Sequence, residues 1–211
     1  FSTITSMIIM LSMVGPALLI PLYVQNALGL SALLSGLVIM PGAIINGIMS
    51  VFTGKFYDKY GPRPLIFTGF ILLISCTFLL CFLKVDTSYT YLIVIYAIRM
   101  FAVSLLMMPI NTTGINALKT EDISHGTAIM NFGRVMAGSL GTALMVTFMS
   151  IGAQWVVSSS EHASKEMIQR QSVAVGVDVS FALVTVFVII AFVLALFIKE
   201  PNHLTHNSRK V

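Results

Sequence analysis

The chain has 211 residues, 57% of them hydrophobic and only 9% charged, with a mean hydropathy of +0.95 and a formal net charge of +4. So few charges cannot clothe a water-soluble domain, so a soluble enzyme is excluded and the lipid bilayer is the expected solvent. No nucleic-acid partner is expected.

Six apolar stretches are each long enough to cross a hydrocarbon core, at about 3–24, 33–53, 64–83, 90–112, 125–150 and 177–198. Backbone groups in lipid must be satisfied within the segment, so the fold class is all-α: a six-transmembrane-helix bundle. The chain opens at Phe1 inside apolar sequence, without a basic leader, which predicts a segment of a longer polypeptide. Cys76 and Cys81 lie five positions apart in one apolar run, point in different directions on a helix, and read as buried hydrophobes.

Lys55, Lys59, Arg63, Lys119, Lys199, Arg209 and Lys210 fall on one set of connections, and Lys84, Lys165 and Arg170 on the other. This asymmetry predicts that the first set, and both ends of the chain, face the cytoplasm, with 200–211 as a cytoplasmic tail. Residues 152–176 carry Trp155, a serine run and the i,i+4 pairs Glu161/Lys165 and Glu166/Arg170. They predict an outer amphipathic loop helix anchored by Trp155.

The third and sixth stretches are apolar almost all round, as lipid-facing helices are. The first carries a stripe of Ser2, Thr5, Ser12 and Pro16, and the second carries Gly36, Pro41, Gly42, Asn46 and Gly47. On the fifth, Asn131, Arg134, Gly138 and Gly141 share a face, while Gly133, Ala137 and Gly141 form a small-xxx-small ladder. Two inner helices followed by a greasy outer one occurs twice, the pattern of two inverted three-helix repeats.

Three stretches carry a family resemblance. They are IPLYVQNALGLSALLSGLVIMPGA at 20–43, GKFYDKYGPRPL at 54–65, and INTTGINALKTEDISHGTAIMNFGRVMAGSLGTAL at 110–144. Together they resemble the C-terminal six helices of a major facilitator superfamily transporter, most closely the fourteen-spanner drug/proton antiporters of the EmrB/QacA type. In the second stretch Gly54, Asp58, Gly61 and Arg63 match the superfamily loop motif, and Lys59 stands for the usual Arg. Phe56 and Pro62 depart from it.

The resemblance implies that Gly54, Asp58, Lys59, Gly61 and Arg63 form a cytoplasmic gating loop that staples helix ends in one state of a transport cycle. It also implies a partner, the N-terminal transmembrane half of the same transporter, which would supply the proton-coupling acids. On residue chemistry alone the same loop reads as a plain positive-inside connection in which Gly54 ends the second helix and Pro64 opens the third.

Arg99 stands about nine residues into the fourth helix, roughly 14 Å of rise, where an unpartnered Arg costs several kcal/mol. It reads either as a structural arginine or as a cavity residue that sets local potential. Arg134, on the face of Asn131, carries the same two readings, and Asn111 either lines a cavity mouth or caps a helix. Met107 and Met108 suit an adaptable pocket or ordinary packing. His125, His203 and His206 read as solvated.

No P-loop occurs, no nucleophile or metal constellation is visible, and no acid lies deep in an apolar run, with Asp178 at its edge. No cofactor is expected; a proton gradient would supply the energy. The reading favoured is the C-terminal part of a secondary active exporter of small amphipathic or cationic drugs in a bacterial inner membrane. The alternatives are a facilitator of a defined metabolite and a non-transporting membrane scaffold.

Overall fold

A chain this apolar must satisfy its backbone groups where water is absent. In the computed structural model, which describes residues 2–116, 118–159 and 165–197, the answer is six long α-helices. They are α1 (Ser2–Asn26), α2 (Ala32–Tyr60), α3 (Pro62–Leu79), α4 (Tyr89–Asn116), α5 (Ile123–Ser159) and α6 (Lys165–Leu196). A 3₁₀ turn, Leu80–Phe82, finishes α3, and another, Thr120–Asp122, leads into α5. All six helices are long and apolar enough to cross a membrane.

The helices play paired roles. α1 and α4 are the most buried, and α2 and α5 flank them with one side uncovered. α3 and α6 turn Phe70, Leu73, Phe181 and Val184 inward and Phe67, Ile71, Val186 and Ile189 outward. That pairing of first with fourth, second with fifth and third with sixth is the fold expected of two three-helix repeats.

The glycine ladder of α5 meets α1. A Cβ on Gly141 would lie 2.6 Å from Leu11 Cγ, and one on Gly133 would lie 3.1 Å from Met7 Sδ, so the two helices approach as closely as small residues allow.

Two boundaries differ from the sequence reading. Gly54 does not end α2; the helix runs on to Tyr60, and Gly61, at φ 78°, is its C-cap. Glycine adopts this left-handed geometry without a Cβ clash, and Pro62, rather than Pro64, opens α3 where an N–H has no partner to lose. Gly54 instead makes room for Met108, whose Cε would be 3.0 Å from a Cβ there.

The segment 152–176 is not a separate interfacial helix. α5 continues through Ser159, α6 begins at Lys165, and Trp155 lies exposed on α5. The reason is steric: a Cβ on Gly152 would sit 2.8 Å from Gly176 Cα, so the two backbones touch and the pair stays zipped beyond the apolar core. Glu161, the tail 200–211 and the end of the sixth span at 198 fall outside the described residues.

Candidate functional site: the α1–α4 seam and the open flank

The polar residues of α1 face α4. Thr5, Ser12 and Pro16 are buried, and Ser6 Oγ donates to Asn111 Oδ1 at 3.2 Å. Thr113 of α4 is also buried, and the hydroxyls of Thr5 and Thr113 have no hydrogen-bond partner. Farther along, Arg99 is fully buried and donates from Nη2 to the backbone carbonyl of Ser12, while its Nε and Nη1 have no partner. The structure therefore places Arg99 and Asn111 between two helices of this bundle, Arg99 sealed from its outside and Asn111 half-buried.

The second group lies elsewhere. Asn131 is exposed on α5 and accepts from Arg134 Nη2 at 3.0 Å, so the i,i+3 spacing delivers the pair that the shared face predicts. Arg134 is half-buried, with Nε unpartnered. Around the pair, Ile129, Phe132, Val135 and Met136 are exposed. On α2 the matching surface runs through Leu33, Leu37, Met40, Ile44 and Ile48, and a Cβ on Gly36 or Gly47 would meet nothing within 4 Å. An open groove of about 320 Å³ between α2 and α4 is wholly apolar, lined by Ile45, Ile93, Val94, Ala97, Ile98 and Phe101.

The third group caps the α2–α3 corner. Asp58, Lys59 and Arg63 are exposed, with Lys59 Nζ 5.1 Å from the Tyr60 ring centroid. Gly54 is nearly two turns back inside α2, so the expected gating residues split between a helix end and a one-residue corner at Gly61.

Sequence reasoning missed a fastening at the opposite end. Tyr23 Oη donates to the carbonyl of Lys84, and Asp178 Oδ1 accepts from the N–H of Leu83 at 2.9 Å. The turn after α3 is thus held from α1 and α6 together. Asp178 near the edge of a span was the visible signal. Among the described residues no group of three or more His, Cys, Asp or Glu could hold a metal ion.

Paired helices around a buried polar seam, with apolar faces left uncovered on α2 and α5, make a membrane-spanning bundle. Residues 1–142 match the Major Facilitator Superfamily. The chain is 37% identical to the lincomycin resistance protein LmrB of Listeria monocytogenes over 185 residues, 88% of this chain and 39% of that one. It is 44% identical to the MFS-type transporter YhcA of Bacillus subtilis over 146 residues, 69% of this chain and 27% of the relative. With the multidrug export protein EmrB of Escherichia coli it shares 29% over 134 residues, 63% and 26% of the two chains. The chain belongs to the major facilitator superfamily. It spans about two fifths or less of the length of these relatives.

Proposed function

We propose that the chain is the C-terminal six-helix half of a fourteen-spanner exporter that moves amphipathic or cationic drugs out of a bacterial cell in exchange for protons. The observation that carries this reading is the uncovered flank of α2 and α5. Gly36 and Gly47 leave gaps on an otherwise bulky apolar face, a surface suited to close approach of other helices more than to lipid tails. The names of the relatives, a lincomycin resistance protein and a multidrug export protein, support the substrate class.

In this reading the N-terminal half covers the flank, and access alternates as the halves rock. Asn131 and Arg134 face the substrate path. Asp58, Lys59 and Arg63, set by Gly61 with Gly54 behind them, latch the cytoplasmic ends, and both ends of the chain are cytoplasmic. The proton-coupling acids belong to the other half.

The test follows efflux of a lipophilic cation dye in everted vesicles carrying the full-length polypeptide, with and without a pH gradient. Gradient-dependent dye movement that falls in Asp58→Asn and Arg134→Ala, at normal membrane levels, supports the assignment. Dye movement indifferent to the gradient, or none at all, makes the metabolite facilitator the better account.

A further inference from the structure

An α-helix in lipid can leave a carbonyl unpaired only if something else meets it. Proline has no N–H, so Pro16 cannot donate to the carbonyl four residues back, which is that of Ser12. The carbonyl that Arg99 meets from α4 is that same one. Pro21 likewise removes the bond to the carbonyl of Ala17, so α1 is weakest in its own ladder between Ser12 and Pro21, although it stays helical throughout.

The α4 side of the contact is held firmly. Asn46 Nδ2 of α2 donates to the carbonyl of Met100 at 3.1 Å, one residue from Arg99. A Cβ on Gly42 would lie 2.8 Å from the Tyr96 ring and 3.0 Å from Met100 Cγ, so α2 presses against this turn of α4. Three helices therefore meet at one level, with α1 the compliant member.

Stability alone does not account for an arginine here. The titratable groups that face it are Tyr96 and Cys76, with no carboxylate among the described residues, and two of its donor groups are spent on nothing. A buried charge used this sparingly costs more than an aliphatic side chain of similar volume.

We infer that Arg99 is a positioning residue: its guanidinium replaces the backbone donor that Pro16 lacks, and so fixes the weak turn of α1 against α4 and α2. The transport consequence rests on the exporter reading; the coupling of Arg99 to Pro16 does not.

The test is a double-mutant cycle on the full-length polypeptide in nanodiscs, read by deuterium uptake over residues 8–20. Arg99→Ala leaves the Ser12 carbonyl unpaired, and uptake rises about tenfold. Pro16→Ala restores the helix's own donor, so adding Arg99→Ala on that background changes uptake by less than about threefold. Equal effects of Arg99→Ala on both backgrounds overturn the inference. If Arg99→Ala does not reach the membrane, Arg99→Met, which keeps much of the side-chain volume and removes every donor, completes the same cycle.

Dye efflux adds a readout that folding alone would not move. Arg99→Ala lowers the maximal rate with KM within about twofold, and Pro16→Ala restores it. A raised KM that Pro16→Ala leaves untouched puts Arg99 on the substrate and overturns the inference. If the wild type moves no dye, the exporter reading fails and the uptake cycle still decides this one.

Discussion

Arg99 and Arg134 sit at similar depths from the starts of their helices, and their surroundings could hardly differ more. Arg99 is fully buried and spends its bond on another helix's backbone, whereas Arg134 is half-buried and bonds to Asn131 of its own helix. The contrast extends to the glycines: Gly141 and Gly176 are crowded by neighbours, but Gly36 and Gly47 face open space. Small and polar residues thus do two jobs in one bundle. In the interior they close contacts, and on the α2–α5 flank they keep a surface available.

The largest expected effect comes from filling a closed contact. A Cβ on Gly176 would lie 2.3 Å from the carbonyl oxygen of Met149, a backbone atom that cannot swing away. Gly176→Leu should cost about 3 kcal/mol and show as loss of monodisperse protein in detergent. If it is tolerated, the α5–α6 contact is looser than described. Next comes the outer fastening, where Tyr23→Phe removes the bond to Lys84 and should lower thermal stability by about 1 kcal/mol.

The flank should behave oppositely. Arg134→Ala is expected to change stability by less than about 0.5 kcal/mol while altering the concentration dependence of dye efflux. Stability loss comparable with that of Tyr23→Phe would erase the distinction between seam and flank. Smallest of all, Gly36→Ala should leave the unfolding midpoint within error, because its Cβ meets nothing in this chain. Crosslinking yield between α2 and the other half is where its effect should appear.

The six spans, their order and the paired repeats were legible because apolar length and small-residue spacing are local properties of the chain. So was the Asn131–Arg134 pair, an i,i+3 neighbour relation. The end of α2 was not, because Gly54 looks like a breaker, and only the packing of Met108 over it explains why the helix passes through. The continuation of α5 and α6 hid behind charged residues; the sign of it was Gly152 and Gly176, whose contact links positions far apart in sequence. For Arg99 the sequence contains half of the answer. Pro16 marks Ser12 as needing a donor, but which helix provides it is a matter of tertiary packing.

The corner at Gly61 has a mechanical consequence. A single residue joins α2, about 44 Å long at 29 residues, to α3, and Pro62 stiffens the far side at once. Such a joint has no slack. Any tilt of α2 as its flank engages or releases another surface is passed to α3 as through a crank, and from α3 to the α4 and α6 surfaces it packs against. Movement that begins at a face can thereby reach the far wall of the bundle without any helix having to unwind.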